Sequence, residues 1–322
     1  MSSMPDVNGL TRRRALAVGG AAAGGLLASG SDLAFAATGF KQPARRQHGK
    51  LPAAHIQQIV GAQGSVSSGV LGIGIERRDI GVVRGPQGVD FPPSFEIAGD
   101  LTFQPLGAQR AFFNGDLALK ASELNPVIDA ILGNGMVFQA MHQHYFDLDP
   151  MVWFIHFRGE AEQLTLARRV RKVLDATATP LPQTMPANPT TPLKHATLAK
   201  TLHGSSEIGD NGVVTITINR KDRIVIDDVQ VSPEANISTN VEFLPLDDRG
   251  MSVAVAPDFS MTSDEVDPVC KTMRRAGFEI GCLYNQETSE HPQLYFAHML
   301  ATGAPQDLAV KLRTALDLTR AD

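Results

Sequence analysis

Three of the nine histidines in the sequence fall within one short stretch, FQAMHQHYFDLDPMVWFIHFR, residues 138–158. His142 and His144 are separated by one residue, and His156 follows a turn at 146–150. Both runs read as strands, along which side chains alternate, so His142 and His144 share a face. If the runs pair antiparallel with an even register, His156 stands opposite or diagonal to His142, with Cβ atoms about 5–8 Å apart. An odd register puts it on the other face. Three convergent imidazoles suit a divalent metal such as zinc, and copper, nickel or iron fit as well, with a position left for water or substrate. Asp116, Glu123 and Asp147 are candidates for a fourth ligand or for carboxylates behind the imidazoles. In a metal-assisted hydrolysis, where the ion lowers the pKa of bound water, Glu123 or Asp147 would accept the proton. Arg158 lies two residues beyond His156 on the same face; it would repel a cation but could hold an anionic ligand. The same residues also allow packed sheet histidines bonded to their neighbours, or a pocket without metal. His-x-His alone is a weak motif, and the third histidine on the returning strand strengthens it.

Other chemistry finds little footing. Gly72-Ile73-Gly74 lacks the spacing and basic partner of a phosphate loop, so no nucleotide cofactor is expected. There is no Gly-x-Ser-x-Gly elbow and no His-Glu-x-x-His. Cys270 and Cys282 give no zinc spacing; they could form one disulfide or remain buried thiols. Arg77-Arg78-Asp79 recurs as Arg220-Lys221-Asp222, which fits a structural ion pair better than an anion site. The net charge of −5 argues against a nucleic-acid or anionic-membrane surface.

A duplication supplies the elements that must position these residues. IERRDI (75–80) parallels INRKDR (218–223), and DLTFQPL (100–106) parallels NVEFLPL (240–246). GDLALKASELNPV (115–127) parallels PDFSMTSDEVDPV (257–269), and PMVWFIHF (150–157) parallels PQLYFAHM (292–299). Order is kept throughout, so the chain holds two copies, 51–176 and 194–320. The proline-rich stretch 177–193 between them can neither continue a helix nor enter a sheet, and reads as a linker.

Each copy predicts the same elements. A short helix (53–60; 194–202) leads to strand-like runs at 70–76 and 212–219, then to further extended segments ending at 112–119 and 251–261. Ser122, or Thr262 and Ser263, caps a helix whose Pro126 or Pro268 falls in the first turn. Two strands follow, 136–145 with 151–158 and 278–284 with 293–299, and a closing helix at 162–174 or 306–318. Strand-helix-strand-strand-helix is an α+β layer, with helices on one face of a mainly antiparallel sheet. Apolar residues on both faces of 152–157 place that strand centrally. The copies are expected to associate about a pseudo-twofold axis, although two independent beads on a proline linker would share this pattern.

Residues 1–36 read as an address. Thr11-Arg12-Arg13-Arg14-Ala15-Leu16 is a twin-arginine pattern, followed by an apolar run and the small-x-small site Ala34-Phe35-Ala36. The expectation is export by the twin-arginine pathway to the periplasm or exterior. Residues 37–50 would form a flexible segment, and no stable membrane anchor would persist after cleavage. Gly30 stands where a lipid-carrying cysteine would have to be.

DLALKASELNPVIDAILGNGMVFQAMHQHYF, PMVWFIHFRG and LARRVRKVLD together resemble the LppY/LpqO family of bacterial envelope proteins, a domain without assigned function. Its acidic-x-Asn-Pro-Val helix start matches Glu123-Leu124-Asn125-Pro126-Val127, and its His-Asn-His strand matches His142-Gln143-His144. Its Pro-Arg-hydrophobic-His strand matches Pro150-Met151 through His156. Gln143 and Met151 depart from the pattern. Allowing one extra residue in the second copy's turn, Leu283 aligns with His142, Asn285 with His144 and His298 with His156, so only the first copy would keep the full set. The resemblance implies an envelope location. Combined with the residues, it leads to an exported protein with a histidine-lined divalent-metal site in the first copy, acting by binding or by metal-assisted hydrolytic or redox chemistry. The alternative is a non-enzymatic envelope module that uses both copies. Its partner would be a small molecule or an envelope component, and not a nucleic acid.

Overall fold

A computed structural model describes residues 44–321. The twin-arginine pattern and cleavage motif lie outside the described residues. No described helix is long and apolar enough to cross a membrane.

Each copy folds as an α+β layer. The first sheet has six strands in the order Ser65–Ser67, Val70–Glu76, Ala98–Gly107, Arg110–Leu119, Trp153–Glu162 and Val137–His142. The second runs Glu279–Ile280, Tyr295–Gly303, Val253–Met261, Thr239–Pro245, Val214–Ile218 and Ser205–Ile208. Pairing is antiparallel throughout both.

Alternation assigns the two faces of each sheet. On Arg110–Leu119, Ala111, Phe113, Leu117 and Leu119 point to one side, where they pack with Ile56, Val60, Val127, Ile131, Leu166 and Val170 of the three helices. In the second copy, Val255, Phe259, Met261, Ala297 and Met299 meet Leu202, Val269, Met273, Leu308 and Leu312 in the same way. The opposite sheet faces meet each other. Ala118, Val152 and Phe154 share one core with Leu244, Ala254, Ala256 and Leu300. Val70, Leu106 and Phe112 share another with Ile224, Ile226, Leu294 and Phe296. The copies are thus one body, not two beads, and both faces of the central strands are buried. Each of these large side chains contributes roughly 1.5–3 kcal/mol when fully buried.

Local boundaries follow the chemistry of single residues. Glu162 caps Gln163–Leu174 by accepting the Leu164 and Thr165 amides at 3.1 and 2.7 Å. Ser122 is not the cap expected. It lies in a 3-10 turn, Ala121–Glu123, ahead of the helix Leu124–Gly133. Pro126 falls in that helix's first turn, but Pro268 lies deeper, because Ser263–Arg275 begins a turn earlier. The linker carries neither helix nor strand, yet it is docked: Gln183 donates to Glu76 O at 2.8 Å and accepts from Glu76 N at 3.0 Å.

Candidate metal centre between the repeats

The register of the histidine hairpin is even over its second half. Ala140 pairs with His156 and His142 with Phe154, after an irregularity between Phe138 and Ala140. His142 and His156 therefore share a face, with ring centroids 5.1 Å apart. That face is the inner one, turned toward the second sheet. The strands carrying His156 and His298 are equivalent, and each sets its histidine directly across from an aspartate: Asp116 with His156, Asp258 with His298.

The second copy's contribution alters the alignment expected from sequence. Tyr284 bridges to Phe296 as His142 pairs with Phe154, so Tyr284, not Leu283, is the structural counterpart of His142. A gapless alignment of the two hairpins pairs them the same way, and it sets Gln286 against His144. Tyr284 stacks on His142 with centroids 3.6 Å apart, and the His144 ring lies between Phe154 at 3.4 Å and His298 at 3.5 Å. The rings are thus held by contacts from both repeats.

Glu96 closes the group. It sits between the strands Asp90–Phe91 and Ala98–Gly107 with φ of 60°, a left-handed conformation unfavourable for a residue with a Cβ. Its amide donates to Glu242 Oε2 at 3.0 Å, which fixes the loop to the second repeat. Its Oε2 lies 3.0 Å from His144 Nδ1 and 3.2 Å from His298 Nδ1. None of these three atoms makes a hydrogen bond of good geometry to the protein, although all three are buried. On the far side of the ring, His298 Nε2 is 3.7 Å from Asp258 Oδ1 and 3.5 Å from the Tyr284 hydroxyl.

Charge is distributed unevenly over the group. Burial opposes ionisation of His298, but Asp258 and Glu96 outweigh it and raise the pKa. Burial likewise opposes the Glu96 carboxylate, yet His298 and His144 hold it down at about 2. Burial and then the neighbouring His298 lower His144 to about 4; burial and then His144 lower His156 to about 3. Burial, followed by His156, also takes His142 well below its ordinary value. Burial raises Asp258 to about 6 against the pull of His298. A neutral His144 beside an ionised Glu96 is the protonation state that metal ligands need, whereas His298, whose protonated form Asp258 and Glu96 favour, must give up a proton when an ion binds. Two sets of donor atoms lie mutually within 4.8 Å, Glu96 with His144 and His298, and His142 with Cys282 and His298. Either set could hold a metal ion.

The three histidines singled out from sequence are therefore brought together, but not as one ligand set. His156 stays behind, its Nε2 buried without a hydrogen-bond partner in the protein. The two acids considered as proton acceptors are not in hydrogen-bond contact with these histidines. Glu123 instead accepts from Arg77 at 3.0 Å, from Lys120 N at 2.8 Å and from Ala178 N at 2.7 Å, which occupies both of its oxygens. Asp147 is exposed in the turn after Tyr145. Arg158 is not a free anion site, because it donates to Gln139, Thr288 and Asp227 at 2.8–2.9 Å and ties the two repeats together. Cys270 and Cys282 are free thiols. Sequence reasoning missed Glu96, which belongs to no motif, and the second-repeat residues Tyr284, Cys282 and Asp258. The gapless alignment was the available signal for Tyr284.

No curated protein and no solved structure matches this chain. One family model matches it twice, over residues 54–176 and 196–318, which are the two copies already distinguished by their sheets. The chain therefore belongs, as a tandem duplicate, to the family described as Domain of Unknown Function (DUF1259).

Proposed function

We propose that this is an exported metal-binding protein whose ion is held between the two repeats by Glu96, His144 and His298. The observation that carries the reading is the state of Glu96 Oε2, His144 Nδ1 and His298 Nδ1. All three are buried and stand in ion-pair contact at 3.0 and 3.2 Å, yet none makes a protein hydrogen bond of good geometry. Buried polar atoms are almost always hydrogen-bonded, because leaving one unmade costs about 1–3 kcal/mol. Three such atoms facing one another are better accounted for as ligands of a shared cation. Two imidazoles and a carboxylate suit zinc, and iron or copper fit the same donors. Asp258 behind His298 supplies the outer carboxylate usual for metal-bound histidine. Because His298 comes from the second repeat, binding would also hold the halves together.

Metal-assisted hydrolytic or redox chemistry is a second reading. It is favoured by His142, whose two ring nitrogens are buried without protein hydrogen-bond partners and whose ring lies 5.3 Å from His144 and 5.9 Å from His298, with His156 stacked beside it at 5.1 Å. Export rests on the twin-arginine pattern at 11–16 and the small-x-small site at 34–36, and the LppY/LpqO resemblance supports an envelope setting. The partner would be a small molecule or an envelope component.

Elemental analysis tests the binding reading. The exported protein is purified without affinity tag or chelator, beside His144→Ala and Glu96→Gln. Near-stoichiometric metal is expected in the wild type and a large loss in both variants, with folding checked by circular dichroism. A wild type without metal, even after incubation with zinc, iron or copper, would sink the reading.

A further inference from the structure

We propose that a second metal position lies beside the first, formed by His142, Cys282 and His298, and that its thiolate selects a thiophilic ion, copper(I) or zinc. It rests on the reading above, because His298 serves both positions. The donor atoms of the three residues lie within 4.8 Å of one another. Three donors held at metal–nitrogen and metal–sulfur bonds of about 2.0–2.3 Å stand about 3.3–4.0 Å from one another, so the side chains close on an ion by drawing in by up to about 1 Å.

One observation points to a ligand, and a second explains how the thiol reaches it. The first is His142, whose Nδ1 and Nε2 are both buried and both without a hydrogen-bond partner in the protein. A neutral imidazole has one N–H to donate and one lone pair to offer, so both capacities are unused here. The ring is nonetheless fixed, stacked on Tyr284 and 5.1 Å from His156. The second is the approach of the chain at Gly281. A Cβ there would stand 2.1 Å from His144 O and 2.6 Å from the Tyr145 ring. Only glycine lets the second repeat lie this close to the histidine strand of the first, and that approach carries the neighbouring Cys282 within reach of His142. Tyr145 secures the approach from the other side by donating to Met299 O at 3.0 Å.

The donor sets differ in softness. Glu96 makes the first a site for a borderline or hard ion, whereas a thiolate favours copper(I) or zinc. With the first position filled, His298 meets the second ion through its other ring nitrogen, so binding exchanges the Cys282 S–H and the remaining His298 N–H for bonds to metal and releases both protons to solvent, with no change of oxidation state.

Stoichiometry decides the matter. The full exported protein is stripped of metal and titrated anaerobically with zinc, copper(I) and, as an optical probe, cobalt(II). The wild type is expected to take up two ions per chain, Cys282→Ser one, Glu96→Gln one and His298→Ala neither. Cobalt should give sulfur-to-metal charge-transfer absorption in the wild type and in Glu96→Gln, and none in Cys282→Ser. One ion in the wild type, lost in Glu96→Gln and retained in Cys282→Ser, overturns the second position and leaves the first standing. No ion in the wild type overturns both. Should Cys282→Ser fail to fold, the wild-type cobalt spectrum still decides, because absence of the sulfur band rules out thiolate ligation.

Discussion

Asp258 and Asp116 occupy equivalent places opposite His298 and His156, but only the first pair backs the proposed ion. While only the first position is filled, with His298 Nδ1 turned to Glu96 and His144, Asp258 at 3.7 Å from Nε2 can take the remaining N–H, fix the tautomer and raise the basicity of the ligating nitrogen. Removing such an outer carboxylate typically costs 10–100-fold in metal affinity. Asp258→Asn is therefore expected to weaken zinc binding about that much in competition with a chromophoric chelator, while Asp116→Asn leaves affinity within a few-fold. Equal losses in the two variants would remove the special position of His298. Part of this arrangement was legible in the residues. The hairpin of His142, His144 and His156 has the spacing to share a face, and the register places them on one. Glu96 was not legible, because its value depends on a left-handed loop and on Glu242 of the other repeat. His298 stood out as the counterpart of His156, but nothing local shows that the two sheets turn these strands toward each other.

Duplicated elements repeat their supports, and Glu123 and Glu265 show what the repetition is for. Arg77 is fully buried; it donates to Ala118 O, to Asp79 at 2.9 Å and to Glu123 at 3.0 Å. Glu123 in turn accepts the amides of Lys120 and Ala178, so one carboxylate joins a strand end, a helix start and the linker. In the second copy Arg220 binds Ser260 O, Asp222 and Glu265, and Glu265 accepts from Thr262 N and Arg320 N. Breaking a buried pair by removing one partner leaves an uncompensated charge, at a cost of about 3–5 kcal/mol. Glu123→Ala should lower stability by that amount in urea unfolding, and Arg77→Met combined with Glu123→Leu should recover a good part of it. A loss under about 1 kcal/mol would mean the network is solvated and not a strut. At this scale the sequence was informative where one periodicity acts alone. The helix Ala53–Val60 and the strand Val70–Glu76 have the bounds that their apolar spacing predicts. It was misleading where a neighbour intervenes. The strand expected at 278–284 is reduced to Glu279–Ile280, because at Gly281 the chain leaves the ladder to lie against His144 and Tyr145. The strand expected at 136–145 ends at His142, where His144 turns to meet Phe154 and His298.

Across the whole molecule, the contact between repeats buries charge as well as apolar surface, and this gives stability a pH dependence. Glu287 of the second repeat accepts from Asn114 of the first at 2.6 Å. Burial, with Glu290 nearby, raises the Glu287 pKa to about 8, and burial raises Glu290 to about 7, against an ordinary value of 4.5. A carboxyl whose pKa is higher in the folded state favours folding while protonated. Its contribution is fully present below about pH 4.5 and is lost as pH rises through 7 to 8. Arg158 opposes the shift of Glu287 and Arg220 that of Glu290, but neither cancels the burial. Each unit of pKa difference is worth about 1.4 kcal/mol, so the combined loss is on the order of a few kcal/mol. His156 acts in the opposite direction at the acid end: its pKa is lowered to about 3, and its contribution is present above about 6.5 and lost as pH falls toward 3. Metal-free protein should therefore be most stable in mildly acidic solution. Glu287→Gln keeps an acceptor for Asn114 and cannot ionise, so its unfolding free energy should decline less than that of the wild type between pH 5 and pH 8. Parallel urea-unfolding profiles for the two proteins over that range would show that Glu287 is solvated when ionised, and that the repeats do not seal it from water.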